Sequence, residues 1–277
     1  MPASSDRAPE AAQRTFRPSA FIRGSVALHA VAGGALLIEP QLWPWSLAAV
    51  VADHLVITAA GLWPRASLLG PNLTRLPPRA AARGEIALTI DDGPDPEVTP
   101  AVLALLDRHA VHASFFCVGE RIARHPQLAR EIVARGHALE NHSQRHLKRF
   151  SLLGPRALRA EIAGAQEAIA FATGAAARFF RAPAGLRNPF LEPELARGGL
   201  KLVSWTRRGF DTVSSDPDRV LARLLRGLAA GDILLLHDGH AARVANETPV
   251  ILTVLPALLA AVRAAGLKPV TLEAACT

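Results

Sequence analysis

The rhythm of apolar and polar residues changes three times along the chain. Residues 1–17 are polar, rich in Ala, Arg, Ser and Pro, and have no recurring apolar pattern, which predicts a disordered tail. Two apolar blocks follow: Ser25–Ile38, 14 residues without a formal charge, and Trp43–Trp63, 21 residues interrupted only by Asp53 and His54. The second reaches the roughly 20 residues that a bilayer span needs. Trp43 and Trp45 at one end and Trp63 at the other stand where interfacial aromatics belong. The first block spans only if it extends back past Arg23, whose long side chain can snorkel. Together they predict a membrane-anchoring helical hairpin over residues 18–66. A cleaved signal peptide competes for the first block, but a secreted mature chain should not then begin with a membrane span. Asp53 and His54 are costly in lipid and could mark a site, but are expected rather to face the partner helix or to lie near a kinked, interfacial segment.

Residues 67–80 contain Pro71, Pro77 and Pro78 and read as a linker. From residue 81 short apolar runs alternate with Ala/Leu/Arg helical patterns. The strand candidates are Ile86–Ile90, Ser114–Val118, Ala138–Glu140, Arg178–Arg181, Leu202–Trp205, Ile233–Leu236 and Pro269–Leu272. Helical patterns lie between most of them, at Ala101–His109, Pro126–Arg135, Pro155–Thr173, Asp218–Ala229 and Thr248–Ala265. This alternation predicts an α/β domain over residues 81–277, a distorted (β/α) barrel of about seven parallel strands.

Charge adds a topology. The link Glu39–Leu42 has no Lys or Arg, whereas Arg14, Arg17 and Arg23 precede the hairpin and Arg65, Arg75 and Arg79 follow it. The positive-inside rule then puts both ends, and the large domain, in the cytoplasm; a single span would permit export instead. The net charge of +7 comes without a basic cluster interleaved with aromatics, so nucleic acid is not expected as a partner. Two distant cysteines, Cys117 and Cys276, form neither a disulfide framework nor a cysteine zinc site.

In a parallel barrel, catalytic groups belong at the C-terminal ends of strands. After the first strand comes Thr89-Ile90-Asp91-Asp92-Gly93-Pro94, in which the adjacent carboxylates could equally be an acidic turn. After the third comes His142-Ser143-Gln144-Arg145-His146. Histidines at i and i+4 fall on one face of a helix, close enough to share a metal; a pair of surface or capping histidines is the plain alternative. One carboxylate of the Asp91–Asp92 pair can supply a third ligand from the neighbouring strand end. Two imidazoles and a carboxylate leave positions open for water and substrate. Arg181-Ala182-Pro183-Ala184-Gly185 follows the fourth strand. His237 ends a leucine run at the mouth of the core, where a buried, hydrogen-bonded histidine is also common.

In this order and at these spacings, the segments over residues 81–277 resemble the polysaccharide deacetylase family, carbohydrate esterase family 4. Its motifs have the forms T-F-D-D-G-P, H-[ST]-x-x-H, R-x-P-x-G and a leucine run ending in His. The resemblance implies a metal-dependent hydrolase that removes an acyl group, usually acetyl, from the nitrogen of an amino sugar in a glycan; the hairpin, expected to lie in a bacterial cell membrane, favours a lipid-linked glycan. It implies Asp91 as general base, Asp92, His142 and His146 as metal ligands, and Arg181 as the partner of Asp91. His237 would be the general acid, with Asp211 on its other ring nitrogen favouring the protonated form. The Trp205–Asp211 segment departs most from the family form. The backbone N–H of Ala184 would stabilise the oxyanion; family members often carry Tyr at that position, and this chain has no Tyr at all. Imidazole and carboxylate ligands suit zinc, with cobalt, nickel or manganese as alternatives. Sugar O-deacetylation and a non-catalytic carbohydrate-binding module are the other readings.

Overall fold

A computed structural model describes residues 14–277. Of the tail expected to be disordered, residues 1–13 lie outside the described residues. Arg14 is bonded to the large domain, its backbone N–H donating to the Ala196 carbonyl at 2.9 Å and its guanidinium to Glu192 at 3.0 Å. The apolar blocks form two helices, α1 (Ala20–Ile38) and α2 (Trp43–Leu62), joined by a short 3-10 turn at Pro40–Leu42. Both are long and apolar enough to cross a membrane, and most of their surface is exposed. Helix α1 does extend back past Arg23, starting where Ser19 caps it by accepting the Ile22 N–H. Asp53 faces the partner helix: it is buried, and Ser25 Oγ–H donates to it at 2.6 Å. His54 also meets the partner helix: its ring, more exposed than Asp53, lies 5.1 Å from that of His29 on α1, and its Nδ1 bonds the carbonyl of Val50 one turn back.

The remaining elements are α3 (Pro78–Ala82), β1 (Glu85–Asp91), α4 (Thr99–Arg108), β2 (Ser114–Cys117), α5 (Gly119–Arg124), α6 (Pro126–Ala134), β3 (Ala138–Asn141), α7 (Pro155–Thr173) and β4 (Phe179–Phe180). They continue with α8 (Leu191–Arg197), β5 (Lys201–Leu202), β6 (Arg207–Arg208), α9 (Pro217–Leu225), β7 (Ile233–His237), α10 (Val250–Ala264), β8 (Lys268–Val270) and α11 (Leu272–Cys276). The strand order is β5-β4-β3-β2-β1-β7-β6, all parallel, which gives the seven parallel strands of the expected distorted (β/α) barrel. β8 joins β1 only at Glu85–Ala87, before β2 takes up the pairing at Thr89. Strand β6 was not among the expected strands. Its two arginines carry no apolar signal, and backbone pairing with Leu234 and Leu235 holds it.

The open side of the barrel is closed by the proline-rich stretch read as a linker. Leu73 N–H donates to Leu202 O at 3.0 Å, Ser204 N–H donates to Leu73 O at 2.9 Å, and Leu76 N–H donates to Gly231 O at 2.8 Å. The core is aliphatic, as the composition demands. Ile86, Leu88 and Ile90 of β1, Leu234 and Leu236 of β7, and Leu103 and Leu106 of α4 are buried in one cluster. Each such side chain contributes about 1.5–3 kcal/mol on burial. Because β1 lies in the middle of the sheet, its C-terminal end opens at the centre of the barrel mouth.

Candidate active site

The chain leaves β1 through two carboxylates, Asp91 and Asp92, both buried. Asp91 is the last strand residue, and Asp92 turns out of the sheet with a left-handed φ of 74°. Gly93 allows this turn to pack closely, since a Cβ there would lie 2.6 Å from Asp238 Oδ2.

The His142–His146 segment is not helical, contrary to the expectation from its spacing. Ser143 (φ 64°) and His146 (φ 51°) are both left-handed, so the segment is an irregular loop. Local side-chain bonds displace the helical ones. Asn141 Oδ1 accepts the Ser143 N–H at 2.9 Å, Ser143 Oγ accepts the His146 N–H at 3.1 Å, and buried Glu161 accepts the Arg145 N–H at 2.9 Å. Nor is β3 the strand beside β1, because β2 lies between them. The carboxylate and the imidazoles therefore meet across one intervening strand.

They still converge. Asp92 Oδ1 is 3.2 Å from His142 Nε2 and 3.2 Å from His146 Nε2, and one ligand atom of each residue lies within 4.8 Å of the others. His142 Nδ1 is 2.8 Å from the Arg181 carbonyl, which can only accept. The Nδ1–H tautomer that follows turns an Nε2 lone pair toward Asp92. Asp92 Oδ1 is buried without a well-directed hydrogen bond. Lone pairs facing one another at this distance repel unless a cation lies between them, so the donor set fits a divalent metal. The electrostatics agree. Burial and the neighbouring His142 push His146 down to about 4, leaving it neutral at physiological pH. Burial alone would raise Asp92, yet the imidazoles of His142 and His240 beside it hold its carboxyl well below the usual range.

Asp91 lies beside this group, its Oδ2 3.9 Å from His142 Nε2. Arg181, at the end of β4 and fully buried, donates to Asp91 Oδ1 at 2.6 Å and to Thr89 Oγ1 at 2.8 Å from one nitrogen, and to the Ser204 carbonyl at 2.9 Å from another. Its guanidinium carbon is 4.1 Å from the centre of the Phe116 ring. A buried ion pair is tolerable only when its remaining polar groups are bonded in this way.

His237 ends β7 opposite Asp91 in the register. One carboxylate holds it twice, Asp211 accepting the ring Nδ1–H at 2.9 Å and the backbone N–H at 2.7 Å. Burial works against a charged His237, but the bond and charge of Asp211, with Asp91 and Asp92 nearby, outweigh it and raise its pKa. Ala184 lines the same cavity on a 3-10 turn, Pro183–Gly185, with a left-handed φ of 55°. Gly185 is required there, since a Cβ would lie 2.6 Å from the Trp205 ring.

All eight residues singled out from the sequence therefore border or directly support one cavity of 490 Å³. Two further residues were missed. Asp238 receives the Thr99 hydroxyl at 2.5 Å and braces the Asp92–Gly93 turn, and burial pushes its carboxyl up to about 7. His240, with φ 61°, brings Nδ1 to 3.4 Å from Asp92 Oδ2. The His-Asp-Gly-His run after β7 was the available signal for both. Left-handed non-glycine residues gather here (Asp92, Ser143, His146, Ala184, Phe210 and His240), each at a cost of about 1–3 kcal/mol, as is common where geometry serves a site.

The family model for polysaccharide deacetylases matches residues 79–203. A chitooligosaccharide deacetylase of Bradyrhizobium sp. (strain ANU 289) is 37% identical over 156 residues, covering 56% of this chain and 71% of that protein. A peptidoglycan-N-acetylglucosamine deacetylase of Bacillus cereus is 32% identical over 156 residues, covering 56% of this chain and 72% of that one. Among solved structures, the family 4 carbohydrate esterase from Streptomyces lividans in complex with acetate superposes with a TM-score of 0.61 at 30% identity, covering 67% of this chain and 91% of that one. The chain belongs to the polysaccharide deacetylase family, carbohydrate esterase family 4.

Proposed function

We propose that this protein is a membrane-anchored, metal-dependent hydrolase that removes acetyl from the nitrogen of an amino sugar. The observation that carries the reading is the convergence of the Asp92–His142–His146 ligand set with two buried, oppositely tasked pairs, Asp91–Arg181 and Asp211–His237, around one cavity. The relatives named for chitooligosaccharides and peptidoglycan N-acetylglucosamine support the substrate class. A complete set of base, ligands and acid weighs against a non-catalytic binding module.

Amide hydrolysis is slow because water is a weak nucleophile and an amine a poor leaving group. Asp92, His142 and His146 would hold a divalent cation, with zinc suiting the donors best and cobalt, nickel or manganese as alternatives. Such an ion supplies Lewis acidity, polarising the acyl carbonyl and making a nearby water easier to deprotonate. Asp91 takes the proton from the attacking water while Arg181 fixes the orientation of its carboxylate. The backbone N–H of Ala184 donates to the developing oxyanion. His237, protonated and oriented by Asp211, gives its proton to the departing amine nitrogen.

Residues 18–66 act as the anchor, a hairpin with both ends on one membrane side, and residues 81–277 form the catalytic domain. The arginines flanking the hairpin and their absence from Glu39–Leu42 support the cytoplasmic side. The test of function is to incubate the full-length protein in detergent with N-acetylated and O-acetylated sugars, with and without chelator, and to identify the released acid by mass. Chelator-sensitive acetate release from N-acetyl sugars is expected. Release from O-acetyl sugars alone would replace the amidase reading with an esterase.

A further inference from the structure

The cavity has more positive charge than deacetylation requires. Its lining includes Arg121, Arg124, Arg145, Lys148 and Arg208. Two of these are committed elsewhere: Arg145 pairs with buried Glu161 at 2.6 Å, and Arg121 lies 3.6 Å from Asp95. Among the described residues Arg124, Lys148 and Arg208 have no carboxylate at ion-pair distance. Of the acidic groups in the lining, Asp91 is neutralised by Arg181 and Asp92 belongs to the ligand set, which leaves only Glu120 to offset three cations.

Arg208 is the most prepared of the three. Its guanidinium carbon lies 5.3 Å from the centre of the Trp205 ring and 5.0 Å from that of Phe210, both within cation–π range. Its Nε is buried and has no acceptor. An unsatisfied buried donor is costly, and a guanidinium positioned by aromatic rings suits a planar or tetrahedral oxyanion. The three cations approach from separate elements: Arg124 from α5, Lys148 from the loop after β3 and Arg208 from β6. That spread matches a group with several charged oxygens better than a single carboxylate.

The hairpin meets the same rim. A Cβ on Gly185 would lie 2.7 Å from Pro64 Cβ, so the residue just beyond α2 and Trp63 packs against the Ala184–Gly185 wall. The Arg187 N–H donates to the Gly61 carbonyl at 3.1 Å, fixing the end of α2 there. Trp63 and Leu62 beside it are exposed.

Building on the deacetylase reading, we infer that the substrate is an amino sugar carried on a lipid phosphate or diphosphate. Arg208, Lys148 and Arg124 bind the phosphate oxygens, and the anchored end of α2 brings the cavity mouth to the lipid surface.

The test uses metal-loaded full-length protein in detergent. Acetate release is compared for N-acetylglucosamine linked to a polyprenyl diphosphate, the same sugar linked to a nucleoside diphosphate, a neutral chitooligosaccharide and a carboxylate-bearing peptidoglycan fragment. The lipid diphosphate should have the highest kcat/KM. Arg208→Gln and Lys148→Gln should each lower its preference over the neutral sugar by about tenfold or more, chiefly through KM. A second readout is equilibrium binding of a short-chain prenyl diphosphate, which has no sugar, to the Asp91→Asn protein; Arg208→Gln should weaken it by a similar factor. Equal use of the neutral or carboxylate substrate, or a preference unchanged by Arg208→Gln, overturns the anion site and leaves the deacetylase reading standing. Preference for the nucleotide-linked sugar overturns the lipid carrier. Failure of every substrate, with Arg208-dependent prenyl diphosphate binding intact, overturns the deacetylase reading and supports the anion site.

Discussion

Asp211 grips His237 by both its ring and its backbone, taking Nδ1–H at 2.9 Å and the main-chain N–H at 2.7 Å with the two oxygens of one carboxylate. The second bond fixes where the residue stands at the end of β7, and the first fixes how its ring is turned. The charge of Asp211 also favours the imidazolium against burial. A proton donor with a raised pKa keeps its proton over a wider alkaline range, so the rate falls only as pH rises through that value. Asp211→Asn keeps an acceptor but removes the charge. The descending alkaline limb of the kcat profile should move to lower pH, with kcat less affected on the acid side, as read from acetate release across a pH series. The same sign applies to stability. The pairing contributes fully below the ordinary histidine value of 6.5 and is lost as pH rises through the raised folded value. An unshifted alkaline limb would remove His237 from the proton-donor role.

The ligand set makes a prediction that needs no turnover. A ligand that binds only the folded state stabilises it by mass action, about 2.7 kcal/mol at a hundredfold excess over Kd. Adding zinc to metal-stripped full-length protein should raise Tm, and His142→Ala should abolish most of that rise. An undiminished rise would place the dominant metal site elsewhere.

Docking of the hairpin on the barrel is tested by glycine substitutions. A Cβ on Gly61 would collide with the Arg187 carbonyl oxygen, whereas one on Gly24 meets nothing within 4 Å. Overpacking at such contacts costs about 1–3 kcal/mol. Gly61→Ala should therefore lower Tm in detergent by several degrees. Gly24→Ala should leave it unchanged or raise it, because alanine favours helix by about 1 kcal/mol over glycine. Equal shifts would mean that the hairpin is not seated as described.

The flanking arginines predict the membrane side. A reporter fused after Thr277 should read cytoplasmic, and one inserted at Glu39–Leu42 should read the opposite side. Both reporters on the same side would exclude the hairpin.

The fold and the site were legible in the sequence to different depths. Long apolar strands such as β1 and β7 and amphipathic helices such as α7 were read almost to the residue, because burial dictates their pattern. Strand β6 was illegible, since Arg207 and Arg208 are held by backbone pairing and carry no apolar signal. The grouping of Asp92, His142 and His146 was visible in their spacing, but the helix inferred from that spacing was wrong. Asn141, Ser143 and Glu161 bond the loop backbone and bend it through two left-handed residues, a tertiary effect that no local periodicity encodes. Asp238 and His240 were overlooked because their roles depend on Thr99 and Asp92, which are distant in the chain. The seating of the proline-rich stretch against β5 was likewise hidden, because its bonds are to backbone rather than to side chains.

The central claim, that Asp91 activates water beside a metal held by other residues, is tested most directly by measuring kcat and bound metal together in Asp91→Asn. A general base contributes about 10²–10⁴-fold. The expected result is acetate release reduced by that order from an N-acetylated amino sugar, with metal content equal to that of the unaltered protein. Undiminished release with metal in place would contradict it.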